Sequence, residues 1–319
     1  MLVYILFIAG FVIMIKGADF LVDGAASLAK RFNISNLVIG LTVVSFGTSA
    51  PELVVNILAS FSGNTDIAIG NILGSNIANI LLILGVSAII YPLTVHKNTV
   101  KKEIPYSFFV VVVLAFLVSD IFLDEASSAM LSRVDGIVLI ILFSIFIIYT
   151  YRISKETNEL PEDVEIKKMS VMKAVILVLI GMVGLVLGGH WIVEGAVEIA
   201  TQLGMSQAFI GLTIVAVGTS LPELATSAVA AYKKNTDIAI GNVVGSNIFN
   251  ITWILGVSSI INPLVFSAHN MVDLGVVLVA TLLLLIMIFA GRKYTLSKIE
   301  GAIFLLLYFA YIAYLVYEG

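Results

Sequence analysis

"GTSAPELV", Gly47 to Val54, places a proline and a carboxylate inside an apolar segment, and "GTSLPELA", Gly218 to Ala225, does so again. A helix breaker and an acid are both costly in hydrophobic sequence. Their recurrence ties fold and chemistry to one motif. Shifting the chain by 171 residues aligns Ile39–Leu93 with Ile210–Leu264 without a gap, with 35 identities over 55 positions. The register continues upstream, where "GADFLVDGA" at Gly17 meets "GGHWIVEGA" at Gly188.

The surroundings are those of a membrane protein. Of 319 residues, 60% are hydrophobic and 12% charged, and the mean hydropathy is +1.10. Soluble domains average about 25% charged residues. Ten spans are expected, at 2–29, 36–61, 67–90, 105–123, 134–151, 171–198, 207–231, 238–261, 271–290 and 299–317. The first has no charged segment before it and no small-residue cleavage site after it, so it reads as a retained helix. Cysteine is absent, which excludes disulfides and thiolate metal sites. No nucleic-acid partner is expected; the lipid bilayer is the surrounding medium.

Fifteen of the 17 basic residues fall in alternate connections; of the other two, Arg133 lies on the opposite side and Lys16 within the first span. The positive-inside rule then puts both termini outside the cell membrane. The predicted domains are a five-span unit at 1–151, a charged cytoplasmic linker at 152–170 and a second unit at 171–319. Because five is odd, the second unit enters the membrane inverted. The expected fold class is therefore an all-α membrane protein of ten helices in two inverted repeats, broken at the midplane.

The motif's chemistry follows from its residue types. Pro51 has no N–H, so the carbonyl of Gly47 is expected to lose its helical partner. Ser45, Thr48, Ser49 and Glu52 share a helical face; the second copy supplies Ala216, Thr219, Ser220, Pro222 and Glu223. A charge at the bilayer centre costs roughly 2.5–3.5 kcal/mol and marks an ion or substrate path. "GNILGSNIANI" adds Asn71, Ser75 and Asn79 on one face, and "GNVVGSNIFNI" adds Asn242, Ser246 and Asn250. Gly70, Gly74, Gly241 and Gly245 form small-xxx-small patterns for close helix approach. The inventory is oxygen only, which defines a hard-cation site: Ca2+ with six to eight flexible ligands, or Na+, nearly the same size. Two glutamates neutralise one Ca2+. No cofactor and no enzymatic centre are expected.

Other polar groups read as structural. Asn76 and Asn247 are interhelical hydrogen-bonding groups. "NTDIAIGN", at Asn64 and again at Asn235, supplies helix caps, with Asp66 and Asp237 before an apolar run. Asp19, Asp23, His190 and Glu194 make polar contacts toward the cytosolic ends of spans one and six. Asp120, Asp124 and Glu125 form a solvated acidic external loop. Spans one and six, long and rich in glycine, are read as loosely packed and able to slide.

With "GTSAPE" and "GNILGSNIAN" paired with "GTSLPE" and "GNVVGSNIFN", the chain resembles the sodium/calcium exchanger family of the cation/calcium exchanger superfamily, in its prokaryotic form. The resemblance implies an antiporter that exchanges Ca2+ for Na+ by alternating access. It implies Ca2+ between Glu52 and Glu223 with backbone oxygens of Thr48 and Thr219. It also implies one Na+ site at Ser45, Thr48, Glu52 and Ser75 and another at Ala216, Thr219, Glu223 and Ser246, with Asn79 and Asn250 lining the centre. Proton/calcium relatives carry "GNAxE"-type motifs, and H+/Ca2+ antiport at the same site is the alternative. Some relatives have Asp where this chain has Asn250, so the pocket here holds two carboxylates, not three.

Overall fold

The computed structural model describes residues 2–94, 102–119, 129–154, 169–204, 216–290 and 294–318. The acidic segment with Asp120, Asp124 and Glu125, most of the predicted linker and the start of span seven, 207–215, lie outside the described residues. Twelve helices carry the described chain. In the first half they are α1 (Leu2–Phe32), α2 (Asn36–Thr48), α3 (Ala50–Phe61), α4 (Thr65–Ile90), α5 (Glu103–Val118) and α6 (Arg133–Ser154). In the second half they are α7 (Val171–Gln202), α8 (Ala216–Thr219), α9 (Leu221–Tyr232), α10 (Thr236–Ile261), α11 (Ala268–Ala290) and α12 (Lys298–Glu318). Among the described residues seven are long and apolar enough to cross a membrane, and the α2–α3 pair, bent by 49°, brings the number to eight if it is taken as one span. Helix α5 is shorter, at 16 residues.

Four two-residue strands close the ends: β1 (Leu93–Thr94) pairs antiparallel with β4 (Thr295–Leu296), and β2 (Met130–Leu131) with β3 (Leu264–Val265). Each ladder joins the first half of the chain to the second.

Helix starts follow local chemistry. Ser35 and Ser170 accept from the backbone N–H three residues on, capping α2 and α7. In the repeated "NTD" the cap is the asparagine: Asn64 accepts from the Ile67 N–H and Asn235 from that of Ile238. The aspartates expected to share this role sit one residue inside their helices, and Asp66 instead accepts a hydrogen bond from Asn270, 3.2 Å.

Helices α4 and α10 form the centre, each with 78% of its most apolar window buried, against 33% for α1 and 28% for α7. The outward faces of α1 and α7 expose Ile5, Ile8, Phe11, Leu179, Ile180 and Val183, as suits a bilayer. Against each other these two helices are not loosely packed, contrary to the sequence expectation. A Cβ added at Gly17 would lie 2.9 Å from the Gly181 carbonyl, and one at Gly188 would lie 2.7 Å from the Gly10 carbonyl. The pair runs antiparallel, backbone against backbone. This also corrects the placement of the polar groups near their ends. Asp19 and Asp23 lie toward the Gly24–Ala174 end of the pair, and His190 and Glu194 toward the Gly10–Gly188 end.

Candidate cation site

The motif breaks its span completely. Ser49 leaves helical geometry (φ −82°, ψ 10°) between α2 and α3, and Ser220 does the same between α8 and α9 (φ −86°, ψ 3°). Pro51 and Pro222 then fall in the first turn of the following helix, where no helical acceptor is lost. The expected kink through one carbonyl is therefore a break between two helices. The first helix ends at Thr48, and a glutamate stands in the first turn of the second. Glu52 and Glu223 occupy that turn, where the helix dipole favours their negative charge.

The other central elements widen where they pass the break. A π-type turn covers Ala78–Ile83 in α4, and another covers Asn250–Ile254 in α10. Such turns interrupt the regular ladder and concentrate at functional positions. They carry Asn79 and Asn250. A third lies in α2, at Gly40–Val44.

Both glutamates are 1% exposed, and Ser45, Thr48, Ser49, Ser75, Asn79, Ser220, Ser246 and Asn250 are buried with them. Ser49 Oγ donates to Glu223 Oε1 across the halves, 2.8 Å, and Ser75 Oγ donates to Glu52 Oε1, 3.5 Å. Ser45 donates to the Leu41 carbonyl, 2.8 Å, and its own carbonyl accepts from Ser246 Oγ, 3.5 Å. Ala216 opens α8 and has only backbone oxygen to offer.

Many of these bonds come in pairs whose members are 171 residues apart. Thr48 Oγ1 donates to Asn242 Oδ1, 3.0 Å, and Thr219 Oγ1 to Asn71 Oδ1, 3.4 Å. Asn71 Nδ2 donates to the Glu52 carbonyl and to Asn56; Asn242 Nδ2 donates to the Glu223 carbonyl and to Ser227. Asn71 and Asn242, predicted on the ligand face, thus spend both ends of their amides on protein groups. Asn56 and Ser227 were missed from sequence, since the two differ in type although they match in position. Of the predicted close-approach glycines, Gly241 and Gly245 receive α2, with Leu37 and Leu41 carbonyls 2.9 and 2.6 Å from an added Cβ. No described atom lies within 4 Å of one at Gly70 or Gly74.

Five buried oxygens at this centre have no hydrogen-bond partner: Glu52 Oε2, Glu223 Oε2, Asn79 Oδ1, Asn250 Oδ1 and Ser220 Oγ. A buried polar atom left unpaired costs about 1–3 kcal/mol, and more for a charged group. The two amide oxygens can only accept, as can the two carboxylate oxygens when ionised. A cation satisfies acceptors of this kind and a proton donor among the described neighbours does not. Among the described residues no three His, Cys, Asp or Glu side chains are grouped to hold a metal, and the buried groups that contact the two acids are neutral hydroxyls. That composition suits hard ions such as Ca2+ and Na+.

Fold and site together define a multi-pass membrane protein with a buried, oxygen-rich cluster around two carboxylates inside its helix bundle. The sequence profile of the sodium/calcium exchanger protein family matches residues 2–152 and 173–317. The chain belongs to this family of membrane antiporters. It is 31% identical over 355 residues to the sodium/calcium exchanger MaX1 of Methanosarcina acetivorans, covering 98% of each protein. It is 39% identical over 308 residues to the membrane protein MJ0091 of Methanocaldococcus jannaschii, covering 96% of each. Among solved structures, the sodium-calcium exchanger NCX_Mj soaked with 10 mM Na+ and 10 mM Sr2+ superposes with a TM-score of 0.84 at 36% identity, over 98% of both chains.

Proposed function

We propose that this protein is a secondary antiporter that exchanges Ca2+ for Na+ across the cell membrane by alternating access of one central site. The observation that carries the reading is the set of five unpaired buried oxygens, two of them carboxylate, converging from both halves of the chain. The ligands are Glu52, Glu223, Asn79 and Asn250, with hydroxyl or backbone oxygens of Ser45, Thr48, Ser49, Ser75, Ala216, Thr219, Ser220 and Ser246. Ca2+ holds the centre, and Na+ ions occupy flanking positions that share the glutamates. One carboxylate pair cannot serve both ion types at full coordination, and this competition couples their opposite movements.

The paired hydrogen bonds at a spacing of 171 support a structural repeat, which we read as two five-span units, 1–151 and 171–319, inserted in opposite senses; the distribution of basic residues makes 152–170 a cytoplasmic linker and puts both termini outside. This makes ten spans, with α5 and the α8–α9 pair among them. An exchange of more than two Na+ per Ca2+ moves net charge, and the membrane potential then contributes ~2.3 kcal/mol per charge per 100 mV.

Purified protein in sealed vesicles decides the counter-ion. An outward Na+ gradient is expected to drive Ca2+ uptake at matched internal and external pH, and a K+/valinomycin potential, negative inside, to slow that uptake. Uptake driven by a pH gradient with no Na+ present would replace Na+ by H+ at the same site. Ca2+ flux needing no opposing ion would make the protein a passive pore.

A further inference from the structure

Among the described residues, Asn76 and Asn247 reach the site through its other asparagines. Asn79 Nδ2 donates to Asn247 Oδ1, 2.9 Å, and Asn250 Nδ2 donates to Asn76 Oδ1, 3.0 Å. Asn247 Nδ2 donates in turn to the Asn76 carbonyl, 3.4 Å, and Asn76 Nδ2 to the Asn247 carbonyl, 3.5 Å. All four side chains are buried.

An asparagine amide turned by 180° exchanges its acceptor for two donors. Turned this way, Asn79 or Asn250 would present N–H groups to the cation and repel it. The turn is blocked, because each would then set its oxygen against the partner's oxygen. The partners are fixed as well, since their Nδ2 groups are held by main-chain carbonyls, which can only accept. The result is that Asn79 Oδ1 and Asn250 Oδ1 are left facing the site without a partner.

We propose that Asn76 and Asn247 are positioning residues that lock the amides of Asn250 and Asn79, respectively, with their oxygens toward the ion. This rests on Asn79 and Asn250 being ligands. Partners that orient a metal ligand typically contribute 10–100-fold to affinity. Titration calorimetry of purified protein with CaCl2 provides the test, in a cross-shaped set of variants. Asn247→Ala is expected to weaken Ca2+ binding about 10-fold in the parent. It is expected to change little when Asn79→Ala is already present, and to keep its full effect beside Asn250→Ala. Asn76→Ala is expected to show the mirror pattern. Equal losses in both backgrounds, the mark of additive and independent sites, would reduce the two residues to packing and overturn the proposal. If Asn79→Ala and Asn250→Ala leave affinity unchanged, the ligand reading itself fails. Should Asn247→Ala not fold, Asn247→Ser removes the same amide and runs in the same set.

A separate observation concerns the two faces of the bundle. A cavity of about 400 Å3 between α3, α7 and α9 reaches Thr219, lined by Pro51, Val54, Val186, His190 and Val193 among others. Shifted by 171, the α7 residues of that lining, Val186, Gly189, His190 and Val193, become Ile15, Ala18, Asp19 and Val22 on α1. There Ala18 and Val22 are buried while Ile15, farther along α1, is exposed, and Lys233 bridges Asp19 and Asp23. The position matching Lys233 is Ser62, and the positions matching the two acids are His190 and Glu194, whose side chains are 69% and 53% exposed.

We infer that Lys233 is a one-sided latch that holds α1 over the site on the face opposite the cavity and must release for that face to open. This rests on alternating access. The chain has no cysteine, so single cysteines report each face. Lys233→Ser is expected to speed maleimide labelling of Val22→Cys about 5-fold and to slow labelling of Val193→Cys. One or two partly exposed ion pairs shift a two-state balance by about that factor. Labelling that rises at both positions signals unfolding rather than release and overturns the latch, as does no change at either. A parent protein that exchanges no ions at all sinks alternating access instead.

Discussion

Replacing either buried acid, as Glu52→Gln or Glu223→Gln, is expected to lower Ca2+ transport in vesicles by at least about 100-fold while the protein still purifies as a monodisperse species. Each amide keeps the shape of the side chain and can still accept from Ser75 or Ser49 on its oxygen. What changes is the second atom. The unpaired Oε2 that needs a cation becomes an NH2 group that repels one. Charge at the site falls from −2 to −1, so Ca2+ is no longer neutralised in a medium where unpaired charge is expensive. Folding benefits if anything, since two buried carboxylates become one. Transport retained in both variants would remove these residues from the ion path.

The second large effect is mechanical. Gly17→Val is expected to abolish exchange and to lower the melting temperature. Its Cβ would meet the Gly181 carbonyl at 2.9 Å, the Leu185 nitrogen at 2.9 Å and the Gly184 carbonyl carbon at 3.0 Å. All three are backbone atoms that cannot turn aside as a side chain end can. Overpacking of this kind costs about 1–3 kcal/mol, occasionally more. Gly70→Ala is the contrasting variant, because no described atom lies within 4 Å of its added Cβ. Equal melting temperatures for Gly17→Val and Gly70→Ala, measured by dye-based thermal unfolding, would show that α1 and α7 do not need this contact.

The repeated motif made the site legible in sequence because both of its signals are anomalies. A proline and an acid in apolar sequence have few explanations, and a second copy removes most of them. Asn76 and Asn247 were correctly read as interhelical bonds. Their crosswise partners were not readable, since helical spacing gives a face and not the residue opposite. The π-type turns that carry Asn79 and Asn250 left no periodic trace, because one extra residue per turn does not disturb an all-apolar pattern. Ser49 and Ser220 look equivalent in sequence, yet one donates to Glu223 and the other has no partner.

The packing of α1 on α7 had a signal that went unused. Gly10, Gly17 and Gly24 recur every seven residues, as do Gly181, Gly188 and Gly195. Seven residues return a helix to nearly the same face. Two such stripes on helices of membrane length announce a seam, and richness in glycine was instead taken for looseness. A small-residue stripe loosens a helix only when nothing lies against it.

That seam has a consequence for leakage. Helices α1 and α7 belong to different halves of the chain and interlock carbonyl to glycine along their length, so neither can travel without dragging the other. Under the alternating access proposed above, a displacement that uncovered the glutamates from one bath would screen them from the opposite bath in the same stroke. A doorway shared by two rooms and hung on a single panel is never open to both.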